Sequence, residues 1–247
     1  AASDVYKRQL KDTSLIGSNP FSIPSDFTFE NYPKAWKAGK YSVTLKNSFI
    51  LTFGTIFVSL IVSGLAAFAL ARLKIKGASI ITFYLLIATA IPAHLYIVPL
   101  FFMWKHLGLI ESHFGLILIY VASTSPFAIF LLRSYLIALP EDFVEAARID
   151  GASELKIFTS IIIPYLEQTI LVIWTIITIL VLKIFDIILA MTNGQWQTEV
   201  LANLMFDWMF RGGGDSGRGS LMAIVIMIGV IPIMIWNIRR HKEDEKL

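Results

Sequence analysis

The chain has no cysteine among its 247 residues. That excludes a disulfide framework, a thiolate metal site and a thiol nucleophile, and it leaves the redox compartment unmarked. Charge is scarce too: Asp, Glu, Lys and Arg make up 16 % of the sequence, against about a quarter in soluble domains. The net charge is only +3, and the Lys and Arg residues sit at the ends of apolar runs, which suits membrane orientation rather than nucleic-acid binding. The run RGGGDSGRG from Arg211 lacks the G-x-x-x-x-G-K-[ST] order of a phosphate cradle and reads as a flexible external loop. His94, His106 and His113 are too scattered for a helical His-Glu metal site, and no Ser/His/Asp arrangement supplies a catalytic residue. The first residues, AASDVYKRQ, lack an initiating methionine and resemble neither a signal nor a transit peptide; the natural start is expected further upstream.

What is abundant is apolar sequence. Hydrophobic residues make up 56 % of the chain and the mean hydropathy is +0.69, values of an integral membrane protein. Residues 1–46 are mixed and polar, with Pro20, Pro24, Pro33, Phe27, Tyr32 and Trp36, and predict a loop with one short helix near Asn31–Ala38. Five apolar stretches follow: Asn47–Ala71, Ser79–Trp104, His113–Leu139, Glu167–Met191 and Ser220–Ile238. Each is long enough for the roughly 20 residues that cross a bilayer core, so the expected fold is all-α, integral to the membrane, with five transmembrane helices. Asp, Glu, Lys and Arg are missing from the first, second and fifth; the third carries Arg133, and the fourth carries Lys183 and Asp186. Pro92, Pro99, Pro126 and Pro232 lie inside spans, where proline kinks a helix if its neighbours satisfy the freed carbonyls.

Positive charge sets the orientation. Arg72, Lys74 and Lys76, then Arg133, Arg148 and Lys156, then Arg239, Arg240, Lys242 and Lys246 fall on one side, expected to be cytoplasmic. Lys105, Arg211 and Arg218 fall on the other, and so, against the rule, do Lys34, Lys37, Lys40 and Lys46. An additional upstream span would fix the orientation before that segment emerged. The expected domains are an extracytoplasmic segment 1–46, a membrane domain 47–239 with a cytoplasmic loop 140–165, and a cytoplasmic tail 240–247.

That loop carries the densest pattern. Pro140, followed by Glu141 and Asp142, predicts a helix start, with fixed φ and acids at the positive end of the dipole. Glu141, Glu145 and Arg148 share one face; Phe143, Val144, Ala146 and Ala147 take the other. Gly151 fits the C′ position of the helix end, and Ser153 can cap a second helix that Pro164 interrupts. Such a helix-Gly-helix segment either lies on lipid headgroups or docks in a groove of a soluble partner, and the residues leave both open.

The order Glu145, Ala146, Ala147, Asp150, Gly151, Ala152, Phe158, Ile163, Pro164 resembles the E-A-A-x-x-D-G-A…F…I/L-P loop of binding-protein-dependent ABC importer permeases. NSFILT at the first span and LLRSYLIALPEDFVEAARIDGAS resemble the carbohydrate-uptake branch, and the likeness runs from about Phe29 onward. Up to Pro164 the chain resembles the maltose-type partner of an unlike permease pair; KIFDIILAMTNGQWQTEVLANLMFDWMF resembles alpha-glucoside-type permeases instead. The resemblance implies six spans, so the five found here imply a missing first helix. It also implies a sugar permease without an ATPase site, in a bacterial or archaeal cytoplasmic membrane, with a cytoplasmic C-terminus. Its partners would be a pair of ABC ATPase subunits, a second permease and an extracytoplasmic solute-binding protein. ATP would be bound by the ATPase and no cofactor by this chain. The loop would be the coupling helix seated in an ATPase cleft, through Glu145, Ala146, Ala147, Asp150, Gly151, Ala152 and Pro164.

The solute path is less marked. Lys183 and Asp186 are three residues apart in the fourth stretch and, on one helix, would share a face. They are either an interfacial pair reaching the headgroups or a polar lining of the path. Trp174, Phe185, Asn193, Gln195 and Trp196 offer aromatic faces and amides that suit a sugar, or else pack in the interfacial belt. Two other readings fit the same residues: an importer of another small solute, such as a glycerol phosphate, and an ion-coupled secondary transporter with Lys183 and Asp186 as coupling charges. Internal inverted repeats would favour the latter, and none is evident.

Overall fold

The computed structural model describes residue 10 and residues 29–73, 75–183, 185–211 and 215–244. Pro20, Pro24, Phe27, Lys74, Gly212–Gly214 and Lys246 lie outside the described residues. Among the described residues every regular element is helical: α1 (Asn31–Ala38), α2 (Tyr41–Arg72), α3 (Ala78–Ala90), α4 (Ala93–His106), α5 (His113–Ala138), α6 (Glu141–Ile149), α7 (Glu154–Ile157), a π-helical turn π1 (Phe158–Ile162), α8 (Ile163–Tyr165), α9 (Glu167–Lys183), α10 (Asp186–Met191), α11 (Leu201–Phe206), π2 (Asp207–Arg211) and α12 (Ser216–Asp244).

Helices at Tyr41–Arg72, His113–Ala138 and Ser216–Trp236 are unbroken and apolar enough to cross a membrane. The other two expected spans are each interrupted. The second stops at Ala90 because Pro92 drives Ile91 into extended backbone (φ −82°, ψ 115°), as the residue before proline prefers. The fourth ends at Lys183 and restarts at Asp186. The first span starts six residues earlier than Asn47, with Tyr41 stacked on Trp36 at 5.0 Å and the Thr44 hydroxyl donating to Gly39 O at 2.7 Å. The last starts at Ser216 inside the expected glycine-rich loop: Asp215 caps it by accepting from Arg218 N at 3.0 Å and pairs with the Arg218 guanidinium.

One face of α2 carries Thr44, Ser48, Thr52, Thr55, Ser59 and Ser63, all buried. Their spacing of three or four makes a single stripe of small side chains, the kind that lets membrane helices approach closely. By internal packing the chain divides into two units. The first takes the described parts of Ala1–Gly54, with Ile97–Ile117 and Thr178–Ile235; the second takes Thr55–Tyr96, Leu118–Ile177 and Trp236–Leu247. Within the first, Ala35, Tyr41, Leu201, Leu221 and Met222 form a buried apolar cluster. Within the second, Ser59 meets Thr124 at 3.0 Å, Arg133 of α5 donates to Leu70 O of α2, and Arg72 of α2 donates to Leu139 O just past the end of α5.

Candidate functional site

The loop between α5 and α9 is built as two short helical arms around Gly151. Helix α6 opens after Pro140 with Glu141 and Asp142 in its first turn. It closes in a Schellman arrangement: Ala152 N donates to Ala147 O at 2.9 Å and Gly151 N to Arg148 O at 3.0 Å. Gly151 has φ +79°, which a Cβ would make costly by about 1–2 kcal/mol, and open space surrounds it. The Ser153 hydroxyl accepts from Lys156 N at 3.3 Å and caps α7. Arg148 reaches over the turn to Glu154, Nε to Oε1 at 2.7 Å and Nη2 to Oε2 at 3.2 Å. This two-pronged hydrogen bond holds the Arg148 guanidinium more firmly protonated and clamps the arms together.

The expected second helix is shorter than Ser153–Pro164. After one α-turn the backbone widens into π1, and α7 to α8 meets α9 at 68°. Pro164, which has no N–H to continue the ladder, stands in the turn before that bend and is exposed.

The residues of α6 differ in burial. Of the four residues expected on its less charged side, Val144 is buried and Ala147 half-buried, while Phe143 and Ala146 are exposed. Phe143 is 60 % exposed, Ile149 82 % and Leu155, on the second arm, 73 %. Glu145, Ala146, Asp150 and Gly151 are exposed beside them and Ala152 is half-buried. The loop therefore presents small and apolar groups among carboxylates, exposed with respect to the described residues.

The expected solute-path residues have separate local roles. In the second unit, Trp174 lies 5.9 Å from Trp236. The other six belong to the first unit. Because the helix is broken between Lys183 and Asp186, the helical three-residue spacing expected to place them on one face does not apply; Lys183 is exposed and Asp186 begins α10. Phe185 stacks on Phe206 at 4.4 Å. The Asn193 amide oxygen accepts from Arg211 at 2.8 Å, while Gln195 and Trp196 are exposed.

These last residues sit in a turn of unusual backbone: Asn193, Gly194, Trp196 and Gln197 have φ of +49°, +74°, +53° and +59°. Asn47, which sequence reading passed over as the start of a span, holds that turn. Its buried amide donates to Gln197 O at 2.5 Å and Glu199 O at 2.8 Å, and its oxygen meets His113 Nε2 at 3.1 Å. A cavity of about 440 Å³ beside the turn is lined by Lys40, Thr44, Gly194, Gln197 and Glu199. Burial pushes the Glu199 carboxyl up, and hydrogen bonds from Asn203 and Val200 N oppose it. An amide at a span entrance is the signal that could have found Asn47, since a buried polar group there needs partners.

Over 133 residues the chain is 60 % identical to the alpha-glucoside transport system permease protein AglF of Rhizobium meliloti (strain 1021), covering 54 % of this chain and 40 % of that one. Over 136 residues it is 44 % identical to the osmoprotective compounds uptake permease protein GgtC of Synechocystis sp. (strain ATCC 27184 / PCC 6803 / Kazusa), covering 55 % and 48 %. The chain thus spans about half the length of these curated relatives. The trehalose transport system permease protein SugB of Mycobacterium tuberculosis (strain CDC 1551 / Oshkosh) is 28 % identical, over 94 % of this chain and 84 % of its own. In fold, the chain resembles a bacterial ABC transporter involved in the import of the acidic polysaccharide alginate, with a TM-score of 0.77 at 22 % identity over 96 % of this chain and 88 % of that one. Residues 59–238, which include both arms of the loop and most of the helices, match the family described as binding-protein-dependent transport system inner membrane component, and the chain belongs to that family.

Proposed function

We propose that the chain is the permease subunit of an ATP-driven importer of carbohydrate, with the loop from Glu145 to Pro164 as the place where a separate ATPase acts. The observation that carries this reading is the outward face of α6 and α7. Ile149, Leu155 and Phe143 stand 82 %, 73 % and 60 % exposed around a glycine turn with free space outside it. A headgroup-lying helix would expose the same apolar groups, but such helices are rich in Lys and Arg and the inner leaflet is anionic. Here Glu141, Asp142, Glu145, Asp150 and Glu154 outnumber Arg148 and Lys156. That charge favours a protein groove over a lipid surface. The relatives' names support a saccharide or a related polyhydroxylated solute: alpha-glucosides, osmoprotective compounds and trehalose.

On this reading the chain hydrolyses no ATP, and it works with two ATPase subunits, a second permease and an extracytoplasmic solute-binding protein in a bacterial or archaeal cytoplasmic membrane. Residues 1–46 are extracytoplasmic, 47–239 form the membrane domain and 240–247 the cytoplasmic tail. The test uses Glu145→Lys and Gly151→Trp in the assembled transporter, with co-purification of the ATPase and solute uptake as readouts. Both are expected to fall at least about tenfold, the effect of losing roughly 1.4 kcal/mol of association. Normal assembly and uptake in both variants would overturn the coupling role.

A second reading draws on the helix break flanked by Lys183 and Asp186, since broken helices form coupling-ion sites in secondary transporters. Uptake that survives ATP depletion but collapses with the ion gradient would support it and remove the ATP-driven one.

A further inference from the structure

The 140–165 loop is fastened to one turn of one helix at two points, its start and the first residue of π1. At its start, Arg72 Nη2 donates to Leu139 O at 2.7 Å. Leu139 is only 4 % exposed, and the next residue, Pro140, is extended (φ −57°, ψ 135°). The carbonyl therefore lies at the junction where α5 ends and α6 begins, a place where helical partners run out. In the second arm, Phe158, the first residue of π1, meets Phe68 edge-on, centroids 5.8 Å apart and planes at 83°. Phe68 and Arg72 are four residues apart on α2, so they lie on the same face. From α5, Arg133 Nε donates back to Leu70 O at 3.4 Å, between those two positions.

We propose that Phe68 and Arg72 are positioning residues that pass displacement of the 140–165 loop into helix α2. The inference rests on the coupling role proposed above for that loop and adds the element that receives its motion. The chain already joins the loop to α5 and α9; the two grips add a third helix, so a loop displaced as a unit also pulls on that turn of α2. The two grips differ in chemistry. The guanidinium hydrogen bond is directional and fixes the hinge at Leu139; the edge-on ring contact tolerates sliding. An apolar cavity of about 360 Å³ beside the ring contact, lined by Gly64, Leu65, Leu136, Phe158 and Ile162 among others, leaves π1 room to shift. Gly64 itself faces open space. The π turn is the natural place for that shift, because wide turns inside helices recur at functional sites.

The absence of cysteine from the chain makes the test direct. Single spin labels are placed in the transporter assembled with its ATPase and partner permease, one at Leu155→Cys on the loop and one at Leu65→Cys on α2, both exposed positions. Spectra are compared without nucleotide and after trapping with ATP and vanadate. In the parent protein both labels are expected to respond. In Arg72→Met and in Phe68→Leu the Leu155→Cys label keeps its response, while the Leu65→Cys response falls at least about threefold; Arg72→Lys restores part of it. Phe68→Leu keeps apolar volume and serves where Arg72→Met impairs folding. A full Leu65→Cys response in both variants would overturn the proposal and leave the coupling role standing. No Leu155→Cys response in the parent protein would instead remove the coupling role, and this inference with it.

Discussion

The turns at Gly151 and at 193–197 both use positive φ, and they do so by opposite means. At Gly151 one glycine at φ +79° closes helix α6, and the backbone bonds that stabilise it come from the helix it ends. In 193–197 four residues have positive φ, and three of them, Asn193, Trp196 and Gln197, are not glycine. Left-handed backbone at non-glycine residues is costly and persists only where the surroundings impose it. Here the imposing group is Asn47, 150 residues away in sequence from Gln197. The first turn is a local device facing open space; the second is a strained one, held from a distance.

The largest expected effect breaks the second turn alone. Asn47→Ala removes the donor to two backbone carbonyls and the acceptor facing His113. A buried group left without a partner costs about 1–3 kcal/mol. Thermal unfolding in detergent should show a loss of that size, and amide exchange should rise across 192–200 while 141–157 keeps its protection. Equal loosening of both turns would mean that they are not independently held.

The contrast also explains what could be read from sequence. The helix-Gly-helix loop was legible because each signal is local: Pro140 and two acids at a helix start, Gly151 at C′, and Ser153 at the next cap. Helix α1 at Asn31–Ala38 was legible in the same way. The breaks were harder. Pro92 predicts a kink, but whether a proline bends a helix or ends it depends on the packing of its neighbours. The interruption after Lys183 carries neither proline nor glycine, so periodicity read straight through it. Phe143, Val144, Ala146 and Ala147 share the less charged side of a helical wheel, but a wheel does not say which of them the rest of the chain covers: Val144 is buried while Phe143 and Ala146 are exposed. Arg72 read only as an orienting charge; its bond to Leu139 O joins residues 67 apart, and no local pattern announces such a contact.

The next comparison is between two glycines. Gly151 and Gly194 have nearly the same φ, +79° and +74°, so alanine should strain the backbone of both by about 1–2 kcal/mol. Their surroundings differ. A methyl group at 151 meets open space, whereas one at 194 meets the Glu199 carboxylate, which Asn203 and Val200 N hold in place. Gly194→Ala should therefore lower the unfolding midpoint clearly more than Gly151→Ala. Equal losses would show that Glu199 moves aside freely and that the 193–197 turn is less constrained than its contacts indicate.

The smallest effect has the opposite sign. Burial raises the Glu199 carboxyl above its ordinary range, so the folded protein binds that proton more tightly than the unfolded chain. The folded state thus carries a penalty above the folded pKa, and it is relieved as pH falls through that value and disappears below the ordinary carboxylate range. Glu199→Gln has no charge to bury, and its amide oxygen can still accept from Asn203 and Val200 N. At pH 7 the variant should unfold at a higher temperature than the parent, by less than the roughly 4 °C that 1 kcal/mol produces in a chain of this size. The gap should close as pH is lowered toward 4. A gap that stays constant with pH would assign the gain to packing beside Gly194, leaving the buried charge without an energetic role in this turn.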